Sequence, residues 1–161
     1  MSRVQLALNV KNIDEAVEFY ARLFGTEPAK RRPGYANFAV VDPPLKLVLI
    51  EGDPELSGTI NHLGVEVASA EDVTMAGARL AQSGLSTASE EDVTCCFARQ
   101  DKVWAASPDG VAWEFYTVLA DADSMGADPG PIRPNGSACC TGAAGLAAGP
   151  AGATRDAAAC C

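Results

Sequence analysis

A chain of 161 residues is long enough for one folded domain and an appendage. Its formal net charge of −9, with no basic stripe to neutralise phosphates, excludes nucleic-acid binding and speaks against anionic membrane surfaces. Neither an N-terminal apolar leader nor a long apolar run is visible, so the expected setting is the cytoplasm, where thiols stay reduced.

Residues 4–10 alternate apolar and mixed side chains, as a half-buried strand does. Asn12 with Glu15 three residues later is a capping pattern. Val17, Phe19, Tyr20, Leu23 and Phe24 give the following helix an apolar side, and Gly25 ends it. Strands are expected at 27–32, 35–41 and 45–51, separated by proline-rich breaks. The same order then repeats. A strand at 60–67 leads into a helix capped by Ser69 that runs to Gln82, followed by strands at 85–90, 94–100 and 111–118. A Pro108-Asp109-Gly110 turn precedes the last of these. Gln5-Leu6-Ala7-Leu8-Asn9-Val10 superposes on His62-Leu63-Gly64-Val65-Glu66-Val67, and Pro44-Leu45-Lys46-Leu47-Val48 on Gly110-Val111-Ala112-Trp113-Glu114. The predicted fold is therefore α+β, two tandem βαβββ modules (about 1–56 and 57–119) whose sheets pair around a shared cleft. Residues 120–161 are rich in Gly, Ala, Pro and Ser and lack aromatics. They are expected to form a flexible tail, because such a segment buries too little apolar area to offset its ordering entropy.

Cysteine occurs only as adjacent pairs: Cys95-Cys96 inside the second module, and Cys139-Cys140 and Cys160-Cys161 in the tail. Bridging neighbours closes a small strained ring, so the pairs make poor structural disulfides. They do not resemble a secreted framework, whose cysteines are spaced to staple distant segments. Adjacent thiols are instead a chelate for a soft centre such as Cd(II), Hg(II) or trivalent arsenic. Packing as two small hydrophobes is the bland alternative. In a strand only one of two neighbours faces the core, which leaves the other to be explained.

Strand parity also groups candidate metal ligands. Gln5, Ala7 and Asn9 share a face, as do His62, Gly64 and Glu66, and Ala112, Glu114 and Tyr116, while Val111, Trp113 and Phe115 are expected to turn into an apolar layer. Gln5, His62 and Glu114 thus each stand beside a small residue on the same face, which leaves room for an ion and something bound to it. An amide, an imidazole and a carboxylate would supply three facial ligands and leave three positions open, as oxygen-activating ferrous sites require. Taken singly, His62 suits a satisfied core residue and Glu114 an outward one. The argument rests on Gln5 and His62 occupying matching positions of the two repeats, and on a carboxylate set between Trp113 and Phe115.

The segments 4–9, 14–24 and 43–49, the runs Arg32-Pro33-Gly34-Tyr35-Ala36-Asn37-Phe38 and Asn61-His62-Leu63-Gly64-Val65-Glu66-Val67, the Thr94-Cys95-Cys96-Phe97 doublet and the Pro108-Asp109-Gly110…Trp113-Glu114-Phe115 ending together resemble the vicinal oxygen chelate superfamily. Within it they resemble the C–As lyases (organoarsenical-degrading dioxygenases) and the similar cadmium-induced proteins. The resemblance covers residues 1 to about 119. It implies an open-barrel metal cleft with Fe(II) held by Gln5, His62 and Glu114, O2 as co-substrate, and Cys95 and Cys96 as the thiols that bind trivalent arsenic. It further implies cleavage of the carbon–arsenic bond, for methylarsonous acid to arsenite and formaldehyde. The glutamine that replaces the first histidine of ordinary extradiol dioxygenases is present here as Gln5.

Two other classes stay open at this level. One is a non-enzymatic cadmium- or arsenite-binding protein; the other is a glyoxalase- or thiol-transferase-like enzyme using a metal as Lewis acid. A fourth ligand would favour the latter, but the repeat position matching Glu114 is Val48. The expected partner is a small organoarsenical, with neither nucleic acid nor membrane. Members of the superfamily pair such modules within one chain or between two, so a homodimer is one of the assemblies the sequence allows.

Overall fold

The computed structural model describes residues 2–126. It consists of strand β1 (Arg3–Val10), helix α1 (Ile13–Phe24), strands β2 (Lys30–Arg32), β3 (Tyr35–Val40) and β4 (Leu45–Glu51), a 3-10 turn (Pro54–Leu56), strand β5 (Ile60–Glu66), helix α2 (Ala70–Gln82), and strands β6 (Thr87–Cys95), β7 (Ala98–Ala106) and β8 (Ala112–Asp121). The strands form one sheet in the order β2-β3-β4-β1-β5-β8-β7-β6. Each module therefore contributes four strands, and the two meet where β1 and β5 run antiparallel.

The helices form where local chemistry allows. The Asn12 side chain accepts hydrogen bonds from the amides of Asp14 and Glu15, and Gly25 closes α1 in the left-handed region at φ 62°. Ser69 caps α2 through the amide of Asp72. Ile13 and Val17 of α1 pack on Phe38, Leu47 and Leu49, and Val73, Ala76 and Leu80 of α2 pack on Val103. The helices thus cover one face of the sheet, and the other face is left to build the site.

The predicted repeat is visible in the register. Leu6 pairs with Leu63 across the module boundary. Leu6 also pairs with Leu47 in parallel, as Leu63 pairs with Trp113. The near-twofold through Leu6 and Leu63 consequently matches Gln5 to His62 and Val48 to Glu114.

Three details depart from the sequence reading. The first module's edge strand shrinks from 27–32 to Lys30–Arg32. The strands expected at 85–90 and 94–100 are instead a single strand, β6, followed by a hairpin into β7. The acidic run Glu90-Glu91-Asp92, which reads as a break, is absorbed as a bulge in which Asp92 takes φ 53°. Finally, Phe115 packs beneath α2, but Val111 and Trp113 are 37% and 36% exposed, so the apolar layer expected on that face of β8 is incomplete.

β8 continues two residues beyond Leu119 to Asp121. The segment after it returns to the sheet: the Ala122 amide donates to the Phe97 carbonyl at 3.0 Å, and the Cys96 amide to the Met125 carbonyl at 2.7 Å. The Cys139-Cys140 and Cys160-Cys161 pairs lie outside the described residues. No helix among the described residues is long and apolar enough to cross a membrane.

Candidate metal centre

Pairing across the three central strands sets Gln5 opposite Gly64 and Gly64 beside Glu114. The residue between the two polar side chains therefore has none of its own. A Cβ at Gly64 would stand 3.0 Å from Glu114 Cγ, 3.3 Å from Gln5 Cβ and 3.4 Å from Gln5 Nε2. Its absence lets Gln5 Nε2 donate to Glu114 Oε1 at 2.7 Å. His62, paired with Ala7, completes the group, with Nε2 3.0 Å from Gln5 Nε2 and 3.3 Å from Glu114 Oε1. All three side chains are at least 96% buried. Gly64→Ala is expected to cost about 1–3 kcal/mol through overpacking of this buried junction, measured as a lowered midpoint in urea unfolding.

Neighbouring groups hold each of the three. The Asn61 carboxamide oxygen lies 2.7 Å from His62 Nδ1, which places the ring proton on Nδ1 and leaves the Nε2 lone pair facing Gln5 and Glu114. Asn61 is itself held by Asn9, to which it donates at 2.8 Å. The Trp104 ring meets the His62 ring edge-on at 5.6 Å. Burial alone would raise the Glu114 carboxyl. The charge of the Lys102 ammonium, 3.1 Å from Oε2, outweighs it and holds the carboxyl well below the usual carboxylate range. That ammonium and Oε2 form an ion pair. Glu114 Oε2 is the one fully buried side-chain N or O atom, among the described residues, without a hydrogen bond.

A second row lies two residues along the same face: Arg3 pairs with Glu66, and Glu66 with Tyr116. The Tyr116 hydroxyl donates to Gln5 Oε1 at 2.5 Å and lies 3.2 Å from Glu66 Oε2. Burial, then the charges of Glu114 and Glu66, push the phenol upward, so it stays protonated. Glu66 shows the opposite balance: burial would raise it, but the hydrogen bond from Arg3 at 2.8 Å and the charge of Lys46 hold it below the usual carboxylate range.

The thiols sit at a turn, not within a strand. Cys95 pairs with Ala98, which leaves Cys96 and Phe97 as a two-residue hairpin loop at φ 55° and 61°. These are the left-handed conformations of a type I′ turn, which usually selects Asn or Gly. The turn answers the parity problem: the chain bends at Cys96, and its Sγ returns to 3.3 Å from that of Cys95. Cys95 is buried against Trp104 and Ala112. The turn is tied down by Lys30, whose ammonium donates to the Phe97 carbonyl at 2.9 Å and also pairs with Asp121. A cavity of about 320 Å³ is lined by Gln5, His62, Glu114, Cys95, Cys96 and Lys102, among others. Every residue singled out in the described sequence therefore opens onto one space.

Sequence reasoning gave no role to Lys102, Trp104, Asn61 or Tyr116. The alternation Gln100, Lys102, Trp104 against Val103 and Ala105 carried the signal for the first two, once a strand is recognised there. No group of three His, Cys, Asp or Glu side chains suited to a metal occurs among the described residues. The third donor of the cluster is an amide. An amide, an imidazole nitrogen and a carboxylate meeting at a position cleared by Gly64, with a buried carboxylate oxygen lacking a hydrogen bond, are the donor set of a hard to borderline divalent cation, although the amide presents its nitrogen to the other two and its oxygen to Tyr116.

The sequence family described as glyoxalase/bleomycin resistance protein/dioxygenase superfamily matches residues 3–115. The cadmium-induced protein CadI of Mycobacterium tuberculosis is 60% identical over 129 residues, covering 80% of this chain and 84% of that protein. A trivalent organoarsenical cleaving enzyme of Thermomonospora curvata is 52% identical over 153 residues, covering 92% of this chain and 97% of the enzyme. The chain thus belongs to the vicinal oxygen chelate superfamily, in the family of C–As lyases and cadmium-induced proteins. Among solved structures, the Mn(II)-bound glyoxalase from Novosphingobium aromaticivorans superposes with a TM-score of 0.53 at 23% identity, over 80% of this chain and 44% of that one. An extradiol ring-cleaving dioxygenase from B. fuscum gives 0.54 at 19% identity, over 76% and 34%. Both show the fold.

Proposed function

We propose that the protein is an Fe(II)-dependent dioxygenase that cleaves the carbon–arsenic bond of trivalent organoarsenicals such as methylarsonous acid, releasing arsenite. The observation that carries this reading is a paired-thiol turn and an amide–imidazole–carboxylate cluster opening onto one cavity. Relatives named for trivalent organoarsenical cleavage, at 52% and 38% identity, support the same chemistry.

Gln5, His62 and Glu114 are the residues that would hold the iron, whose contribution when bound is to activate O2. Everything else is done by the chain. Cys95 and Cys96, with Sγ atoms close enough for one soft atom to bridge, take trivalent arsenic and leave its organic group in the cavity. Trp104 packs on Cys95 and on His62, so one rigid side chain spaces substrate from ligand cluster. Such fixed placement replaces an encounter by an intramolecular reaction. Asn61 keeps the His62 proton on Nδ1, away from the site.

A protein that only sequesters cadmium or arsenite on thiols has no use for a buried ligand trio behind them. A glyoxalase-like site with a fourth protein ligand finds no donor either: Val48, the counterpart of Glu114, is buried among Ala7, Tyr35 and Ile50. The test is anaerobic reconstitution with Fe(II) and methylarsonous acid. Arsenite is expected only after air is admitted. Release without O2, or equal release with a non-redox ion such as Zn(II), would reject the dioxygenase assignment.

A further inference from the structure

The Gln5 amide faces the wrong way to serve as a ligand, and the structure holds the device that corrects it. Its nitrogen points at His62 Nε2 (3.0 Å) and Glu114 Oε1 (2.7 Å), and its oxygen at the Tyr116 hydroxyl (2.5 Å). A carboxamide donates electrons to a cation through oxygen, because its nitrogen carries only hydrogens to offer. Holding a cation between Gln5, His62 and Glu114 therefore requires the amide to turn over by half a rotation about its last torsion, which is broad and roughly twofold. Its nitrogen then meets whatever its oxygen met before. A side chain that could only donate or only accept would oppose one of the two orientations.

Resting on the metal-site reading above, we infer that Tyr116 is a positioning residue for Gln5: its hydroxyl accepts a hydrogen bond from the turned amide while donating its own to Glu66, and so stabilises the orientation in which the amide oxygen is the ligand. Three observations support this. A phenol both donates and accepts, so it serves either orientation. Glu66 Oε2 lies 3.2 Å from the hydroxyl, placed to accept the hydrogen bond that Gln5 Oε1 accepts in the present orientation. Glu66 stays a carboxylate because Arg3 bonds the same oxygen at 2.8 Å and Lys46 lies 3.5 Å from it. The row Arg3–Glu66–Tyr116 thus stands directly behind the row Gln5–Gly64–Glu114. Tyr116 is 1% exposed, so water does not compete for its hydroxyl.

The test measures Mn(II) affinity of the full chain by the loss of the free-ion electron paramagnetic resonance signal. Mn(II) is chosen because thiolates bind it poorly. Tyr116→Phe is expected to weaken binding about 10- to 100-fold, as removal of a hydrogen-bond partner behind a metal ligand does. A merely structural role would give the same penalty in every background. Glu at position 5 presents two equivalent oxygens and needs no turning, so in the Gln5→Glu chain the further change Tyr116→Phe is expected to be neutral or to strengthen binding. An equal penalty in both backgrounds, or none in the wild-type one, overturns the proposal. His62→Ala separates the layers: if it leaves Mn(II) affinity intact, the ligand assignment fails, whatever Tyr116 does. Should Tyr116→Phe not fold, the wild-type chain decides. At saturating Mg(II), nuclear Overhauser contacts of the Gln5 carboxamide protons are expected to move from the His62 ring to the Tyr116 ring. Contacts that stay on His62 refute the inference.

Discussion

His62→Ala is expected to strip the protein of bound iron and abolish turnover while the chain keeps its circular dichroism and cooperative melting. His62 is 2% exposed and bonds side chains, not backbone, so its removal leaves a small polar cavity in an otherwise intact sheet. Glu114→Ala should lose iron equally and also lose stability. The Lys102 ammonium is 2% exposed and lies 3.1 Å from Glu114 Oε2. Taking away one partner of such a buried pair costs about 3–5 kcal/mol, because the buried ammonium loses its carboxylate. The two variants therefore separate ligand chemistry from folding: they share the iron defect, and only the second has a lowered unfolding midpoint. Full iron content and activity in either variant would remove the proposed ligand set.

This difference between the two ligands was not legible in the sequence. Gln5, His62 and Glu114 were, because strand alternation and the internal repeat fix parity, and parity fixes which side chains share a face. The same rule identified Gly64 as a small neighbour, although only the register shows it standing between Gln5 and Glu114. Lys102 and Trp104 were missed because no strand was assigned over 101–106. Three consecutive acids at 90–92 break the alternation, and the structure accommodates them by a bulge that a hydrophobic pattern does not signal. The hairpin at Cys96 and Phe97 was hidden for another reason. Type I′ turns are recognised by Gly, Asn and Asp, and here cysteine and phenylalanine occupy φ values near 55–61°. Residues 120–126 read as tail because Ala, Asp, Ser and Gly offer little apolar area to bury. What holds 122 and 125 is backbone hydrogen bonding to the thiol turn, which composition does not encode.

The strain at that turn bears on the second large effect, expected when Cys95 and Cys96 are both replaced by serine. Non-glycine residues persist in sparsely populated conformations when the surroundings over-determine them, and such positions cluster at functional sites. Here the left-handed conformation of Cys96 is what brings its sulfur beside that of Cys95, so the backbone cost is tied to the pairing of the thiols. Serine preserves volume and the backbone preference of the turn, so folding and iron content should change little. It exchanges a soft thiolate for a hydroxyl that stays protonated at neutral pH, and affinity for trivalent arsenic should collapse by several orders of magnitude. The pairs Cys139-Cys140 and Cys160-Cys161 would mask this by binding arsenic themselves, so the comparison belongs in a chain in which those four are already serine. In that background, methylarsonous acid binding and iron content are to be measured side by side. Lost arsenical binding with retained iron is the expected result, since the thiols and the amide–imidazole–carboxylate cluster are chemically distinct donors that share a cavity. Unchanged turnover after the double substitution would mean that the paired thiols do not present the substrate, and the arsenic assignment would fall while the metal site stood.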